Sequence, residues 1–195
     1  MRPIEGPPPL RLIHVVAIGS LPRVRAERLT QQISRFVAIP CHLDASRLSG
    51  EVRRLHGREQ ADADYLLRQL EEHPAPAGAA VVGIAETDLG LPILTYVFGV
   101  ARAGGHTAVV SLARLKQEFY GLPADEKLTG RRVVAEVLHE VGHLLGLRHC
   151  AAYDCVMHFC ADVGKVDLRG TSFCPSCAAD LPPGFLRIRH APSGR

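Results

Sequence analysis

The sequence lacks tryptophan, and phenylalanine and tyrosine together make up only 5% of its 195 residues. Proteins that stack nucleobases need exposed aromatic side chains, so this scarcity argues against single-stranded nucleic-acid binding. An excess of charge of one sign is missing too, because the formal net charge at pH 7 is only +3 and the arginines are scattered. That distribution predicts no basic patch, and we expect no nucleic-acid partner.

Long apolar runs are also missing. No stretch reaches the roughly 18 apolar residues that a membrane-spanning helix needs, so no membrane span is expected. The N-terminus, MRPIEGPPPL, carries prolines where a signal peptide has an apolar stretch. The chain length suits a single domain with a full core. Together these features predict a cytoplasmic protein, which we expect to be a monomer.

Strand-like apolar segments alternate with amphipathic, helix-like segments as far as residue 115, and the last strands run as a meander. This order predicts an α/β fold with a mixed, mostly parallel twisted sheet and an antiparallel member. A helix over about residues 129–146 follows, and the chain then becomes rich in cysteine. We therefore expect four parts: a flexible lead (1–9), an N-terminal catalytic subdomain with the active-site helix (10–149), a Cys-rich C-terminal subdomain (150–180) and a tail (181–195).

The predicted helix contains the start of the stretch HEVGHLLGLRHC, residues 139–150. On a helix, His139 and His143 lie one turn apart on one side, while a stripe of apolar residues on the other side faces the core. Two imidazoles in this arrangement can bind one metal ion together. Glu140 lies between them around the helix, close to the metal without being needed as a ligand.

The end of the same stretch supplies a third histidine. Gly146 permits the left-handed backbone that ends a helix, so the chain can turn there and bring His149 back towards the metal. Three neutral imidazoles leave a tetrahedral zinc ion one open position, where it lowers the pKa of a bound water towards ~7. Glu140 is then the predicted general base for hydrolysis of a peptide bond. The alternative is an ordinary helix with histidines on its surface and no metal. Such a helix would need neither Gly146 nor a third histidine at this spacing.

The sequence becomes rich in cysteine directly after the third histidine. Five of the six lie between residues 150 and 177, which in a chain without a predicted export signal indicates metal binding before disulfides. They include a C-x4-C pair and a C-x2-C pair, which fit a closed structural zinc site of four thiolates. The expected ligands are Cys150, Cys155, Cys174 and Cys177. Two alternatives stay open: the cysteines form disulfides, or Cys160 replaces Cys155.

The H-E-x-x-H-x-x-G-x-x-H pattern resembles the extended zinc motif of the metzincin peptidases. In metzincins a methionine in a tight turn lies beneath the metal, and Met157, eight residues after His149, is predicted for that Met-turn. Some metzincins also use a tyrosine two residues after the methionine as a ligand. Phe159 occupies that position here and has no hydroxyl, so we assign no phenol to the metal.

The cysteines narrow the resemblance to one family. The pattern HEVGHLLGLRHC-x4-C-x-M, followed by CPSC, resembles the archaemetzincin signature, and the segments at residues 83–101 and 109–115 resemble the strands before its active-site helix. The resemblance implies a metzincin-like fold, a catalytic zinc at the three histidines and a structural zinc at the four cysteines. It also implies a peptide or protein substrate, bound beneath ILTYVFGVA (residues 93–101) as an antiparallel edge strand.

A rival hypothesis is a zinc-stabilised peptide-binding protein with little or no hydrolysis. Glu140 argues against it, since a purely structural zinc site needs no base beside its ligands. The sequence therefore favours a zinc metallopeptidase with two zinc ions per chain.

Overall fold

The structure is a computed structural model that describes residues 10–48 and 52–187. The predicted flexible lead and the last part of the predicted tail, from residue 188 onwards, lie outside the described residues. No helix among the described residues is long and apolar enough to cross a membrane.

The described chain forms eight strands and five α-helices. The strands are β1 (Leu12–Ile18), β2 (Cys41–Leu48), β3 (Ala61–Asp62), β4 (Ala79–Ala85), β5 (Leu89–Leu91), β6 (Leu94–Val97), β7 (Gly99–Ala101) and β8 (Thr107–Ser111). The helices are α1 (Arg23–Ile33), α2 (Ala63–Glu71), α3 (Glu126–Leu144), α4 (Val163–Arg169) and α5 (Pro175–Ala179).

The main sheet has the strand order β2-β1-β4-β8-β7, in which all neighbours are parallel except β7 and β8. Its central strands β1 and β4 are buried on both faces, as their nearly continuous apolar sequences predict. Helices α1 and α3 pack on one face and α2 on the other, so two apolar clusters enclose the sheet. The predicted α/β fold with one antiparallel strand is confirmed.

The segment ILTYVFGVA differs from its prediction as one continuous edge strand. Its first part, β6, pairs antiparallel with β5 in a small second sheet, and only β7 pairs with β8 in the main sheet. The break falls at Phe98, whose ring is buried in the core beneath the main sheet. The edge of the main sheet near α3 is therefore only Gly99–Ala101.

The cysteine-rich segment contains two short helices that the sequence analysis missed. With seven and five residues, α4 and α5 are too short to produce a readable helical period. Local capping stabilises them, because the Asp162 side chain accepts a hydrogen bond from the backbone N–H of Lys165 at the start of α4. Apolar residues of this segment join the cluster that lies under α1 and α3, so one core spans the whole described chain on that face.

A cluster of His14, Asp44 and His73 ties β1, β2 and the end of α2 together. The Nε2 atoms of the two histidines lie 2.6 and 3.0 Å from the same carboxylate oxygen, Oδ2 of Asp44. Their side chains also meet the spacing of a metal site. However, Nδ1 of His14 is buried without a partner among the described residues. That atom has no partner whether Nε2 binds a metal or donates to the carboxylate, but the Nε2–Oδ2 distances of 2.6 and 3.0 Å are those of direct hydrogen bonds, which account for the cluster without a metal.

Asp44→Asn should lower the free energy of unfolding by about 2 kcal/mol at pH 7, because two imidazoles lose a charged acceptor. Burial opposes ionisation of Asp44, but hydrogen bonds from the Ser46 backbone, His73, the Ser46 hydroxyl and His14 hold its pKa well below the ordinary value of 3.8. A depressed carboxylate pKa contributes stability that is fully present above the ordinary pKa and is lost as pH falls through the folded-state pKa.

Urea unfolding of wild type and Asp44→Asn should therefore show a gap that persists down to about pH 4 and narrows below it. Glu118→Gln, at an exposed position, is the control and should match the wild type. An equal gap at all pH values would show that the carboxylate charge does not contribute.

Candidate metal sites and active-site cleft

Helix α3 has well-defined ends, which fix the positions of its histidines. At its start, the Asp125 side chain accepts a hydrogen bond from the backbone N–H of Leu128. At its end, Gly146 has a φ of +91°, and its N–H donates to the carbonyl of His143, while Leu147 N–H donates to the carbonyl of Gly142. These two bonds form a Schellman motif, in which glycine is favoured because of its left-handed conformation. The chain reverses there, as the sequence analysis predicts.

His139, His143 and His149 converge on one point. Each offers a ring nitrogen, and these three atoms lie within 4.8 Å of one another. The Nε2 atoms of His139 and His143 are 3.1 Å apart. Their Nδ1 atoms point away and donate hydrogen bonds of 2.8 Å to the carbonyls of Val156 and Leu147. This leaves Nε2 of both rings with a lone pair directed at the shared point, as in metal-bound histidines.

The charge state of the histidines also suits a metal. Burial, reinforced by the nearby Arg169 guanidinium, lowers the pKa of His139 to about 3. Burial and the neighbouring His143 lower the pKa of His149 as well. Neutral imidazoles are the form that coordinates zinc, so the lowered pKa values of His139 and His149 fit the ion that the motif predicts.

Glu140 lies on the cleft side of α3, where it lines a cavity of about 650 Å³ together with the three histidines. It is 3% exposed. Burial raises its pKa well above the ordinary value, the nearby Glu136 carboxylate raises it further, and the Arg169 guanidinium opposes both. The cavity also has apolar walls, contributed by residues of β6, β7 and the segment after the third histidine.

Met157 is fully buried beneath α3. A Cβ placed on Gly142 would collide with its sulfur, so the helix and the methionine are in close contact there. The turn is held by a hydrogen bond from His158 N–H to the Cys155 carbonyl and by one from Cys150 N–H to the Met157 carbonyl. The structure thus brings Met157 under the histidines, where the resemblance places a Met-turn. Phe159 packs against the His149 ring, with centroids 5.2 Å apart.

The second group contains Cys150, Cys155, Cys174 and Cys177, whose sulfurs lie within 4.8 Å of one another. Backbone N–H groups of Cys174 and Cys177 point at sulfurs of this group, 3.3 and 3.5 Å away. The hydrogen bond from the Cys177 N–H lowers the pKa of Cys174 to about 7, which favours a thiolate. All six cysteines lie in the described part of the chain and are free thiols there. Cys160 is outside this group and lines the active-site cleft instead.

Three residues of the cleft were missed by the sequence analysis. Glu136 and Arg169 form a buried ion pair at the base of the cleft, and Gly99 of β7 lies directly against α3. Glu136 could have been found from the sequence, because it precedes Glu140 by one helical turn and so lies on the side of α3 that carries His139 and His143. Arg169 and Gly99 have no comparable signal, since only tertiary packing brings them to the cleft.

Comparisons with known proteins agree with this arrangement. The model of Peptidase family M54 matches residues 20–182. An archaemetzincin of Thermococcus kodakarensis is 43% identical over 182 residues, covering 88% of this chain and 96% of that protein. The crystal structure of a zinc-dependent peptidase from Methanocorpusculum labreanum superposes with a TM-score of 0.74 and 27% identity, covering 87% of this chain and all of that one. The archaemetzincin structure from Methanopyrus kandleri gives 0.70 and 29%, covering 92% and 96%.

The mixed sheet, the histidine group on its long helix and these likenesses define the protein as a zinc metallopeptidase. Within that class, the chain belongs to peptidase family M54, the archaemetzincins. The family resemblance seen in the motif is thereby confirmed.

Gly99→Ala should lower kcat/KM for a peptide substrate by about 100-fold, because a displacement near 1 Å at the reacting groups has effects of that size. A Cβ at Gly99 would lie 2.9 Å from both Cγ and Oε1 of Glu140, so the carboxylate must move. Gly164→Ala in α4 is the control, since its Cβ would meet only Asp162 Oδ1, at 3.2 Å and outside the cleft, and thermal unfolding checks that the α4 cap on this oxygen is kept. Equal activity of both variants and the wild type would mean that the strand tolerates the shift.

Proposed function

We propose that the chain hydrolyses peptide bonds by attack of water, with a catalytic zinc held by His139, His143 and His149 and with Glu140 as the general base. The observation that supports this most directly is the orientation of two imidazoles. Their Nδ1 atoms are tied to backbone carbonyls, and their Nε2 atoms converge 3.1 Å apart beside a buried carboxylate. Bound at this point, zinc would activate the water and polarise the substrate carbonyl.

The chain's own residues would divide the remaining work. The Glu140 carboxylate, inside the cleft, would take the proton of the attacking water and return it to the leaving amine. Its burial supports this role, because a raised pKa makes a carboxylate a stronger base than it is in water. His139 and His143 would stay fixed in orientation through their carbonyl partners, and Gly146 would direct the chain so that His149 completes the set.

A peptide substrate would lie along the free edge of the main sheet. Strand β7 is that edge, and an extended peptide can add to it through main-chain hydrogen bonds. Leu94, Val97 and Phe159 contribute apolar surface to the same cavity and would accept apolar side chains of the substrate.

Glu140→Ala should abolish peptide cleavage while the zinc content stays as in the wild type, because the base is removed and the three histidine ligands remain. The assay is a broad peptide library with a hydroxamate inhibitor as the control for zinc-dependent cleavage. Glu118→Ala, on the surface, should retain wild-type rates.

Hydroxamate-sensitive cleavage by Glu140→Ala at the wild-type rate would contradict the assigned base. If the zinc-loaded wild type cleaves nothing in the library, the peptide-binding hypothesis is favoured instead.

We also propose a structural zinc at Cys150, Cys155, Cys174 and Cys177, which gives two zinc ions per chain. Four sulfurs grouped within 4.8 Å support it, as do the backbone N–H groups directed at them. The ion would stabilise a loop-rich segment that has few residues to bury, and it would define residues 150–180 as a C-terminal subdomain. That division of the chain, the monomeric state and the cytoplasmic location stay predictions.

Metal analysis tests the second zinc. The wild type should contain two zinc ions per chain and Cys174→Ser only one, because three sulfur ligands and a hydroxyl hold the ion weakly. Cys160→Ser is the matched control and should keep both ions, since Cys160 lies outside the group. A wild-type content of one would show that the cysteines hold no metal, and loss of an ion in Cys160→Ser would reassign the ligand set.

A further inference from the structure

Arg169 is the most deeply buried charged side chain of the cleft. It is 1% exposed, although it lies at the end of the short helix α4, and it lines the cavity together with Glu136 and Glu140. A guanidinium in such a place must be paired. Its Nη2 donates to the Glu136 carboxylate, and its Nη1 donates to the His158 carbonyl at 3.2 Å.

We propose that the Glu136–Arg169 ion pair is a positioning device for the active site, which holds Glu140 and His139 in place by neutralising a second buried carboxylate. The proposal rests on the proposed function in so far as Glu140 is the base. Both residues of the pair lie outside the H-E-x-x-H-x-x-G-x-x-H motif.

The positions of two glutamates on α3 explain why a compensating charge is needed. Glu136 and Glu140 are one turn apart on α3 and both are buried, and a Cβ at Gly99 would lie 2.9 Å from Oε1 of Glu140 and 3.2 Å from Cγ of Glu136. Two carboxylates at this spacing repel, and the repulsion is stronger where water is absent. Arg169 supplies the compensating charge. Without it, Glu136 would push Glu140 away or capture it in a carboxyl–carboxyl contact, and in either case the carboxylate would no longer face the cleft.

The geometry makes Arg169 a positioning residue. Its Nη1 lies 3.2 Å from Nδ1 of His139, which donates its proton to Val156, whereas Nε2 of the same ring faces His143. The guanidinium is therefore behind the His139 ring, away from the converging nitrogens. From there it acts through its neighbours: it balances Glu136, and it binds the backbone of the segment whose Val156 carbonyl orients His139.

A second ion pair between the same two helices provides an internal comparison. Arg132 of α3 binds Asp167 of α4 through Nε at 2.8 Å and Nη2 at 2.6 Å. It is also buried, and its Nη1 donates to the Leu115 carbonyl at 2.9 Å. Arg132 does not line the cleft. Both pairs link α3 to α4, although Asp167 also accepts from the more exposed Arg131 at 3.3 Å, so a purely structural role predicts that loss of either pair costs stability and spares catalysis.

The test compares Arg169→Met, Glu136→Gln, the double variant and Arg132→Met with the wild type, below the unfolding temperature of all five. Two quantities are measured: kcat and KM on a peptide that the wild type cleaves, and the zinc affinity of the histidine site against a chelator. The cysteine site serves as the reference within each protein.

Arg169→Met should lower kcat by about 100-fold with little change in KM, because the two side chains, 1% and 4% exposed, offer a substrate almost no surface. It should weaken zinc binding at the histidine site by about 10-fold and leave the cysteine site unchanged. The double variant should recover about 10-fold of the lost kcat, since the uncompensated carboxylate is gone. Arg132→Met should lose thermal stability but keep kcat and zinc affinity.

Equal losses in Arg169→Met and Arg132→Met, or a double variant as poor as the product of the single effects, would overturn the proposal. If Arg169→Met does not fold, Glu136→Gln replaces it in the test, because this variant leaves an unpaired cation beside His139. Unchanged kcat and unchanged zinc affinity in Glu136→Gln would then reject the proposal. If the wild type cleaves no peptide, the proposed function fails, and the zinc affinities still decide on the ion pair.

Discussion

The hydrogen bond from Nδ1 of His139 to the carbonyl of Val156 is the interaction on which the site depends most. The Nδ1–O distance is 2.8 Å, and the bond joins the long helix α3 to the cysteine-rich segment. It fixes the ring so that Nε2 faces His143, and it fixes the tautomer, since a carbonyl can only accept. The same peptide segment continues into Met157, which packs under the helix against Gly142. The histidines of α3 are thus oriented by the segment around Val156 and Met157, which follows the helix in the chain.

Close packing between α3 and the sheet imposes a second constraint. Strand β7 approaches the helix so closely that a side chain at Gly99 would meet both Glu140 and Glu136. The approach encloses the carboxylate, which is why Glu140 is almost fully buried in a cleft that still opens beside β6. Burial of this kind strengthens electrostatic effects in the cleft, so every charge near Glu140 has to be balanced. The burial of Glu140 and the need for a compensating charge therefore both follow from the close approach of β7 to α3.

Much of the site could be predicted from sequence, because the information is local. The spacing of His139, His143 and His149 around Gly146 implies helical geometry and a left-handed turn, and the structure has both. The spacing of four cysteines likewise indicates one group with Cys155 as a member, although the sequence left Cys160 open as its replacement. The parallel core was readable from the apolar strands β1 and β4. By contrast, the division of ILTYVFGVA between two sheets depends on Phe98 turning into the core, which no local pattern encodes.

The histidine group and the cysteine group are adjacent in the chain at His149 and Cys150, so the position of one affects the position of the other. His139 and His143 are oriented by carbonyl groups, whereas His149 is more exposed and is positioned through its neighbour in the chain. The backbone of Cys150 is anchored twice to the Met157 segment: its N–H donates to the Met157 carbonyl, and its carbonyl accepts from Nδ1 of His158 at 2.9 Å. A cysteine group that holds Cys150 therefore also limits the movement of His149. Because His149 would be the zinc ligand without helical support, a rigid cysteine group would stabilise the histidine site as well.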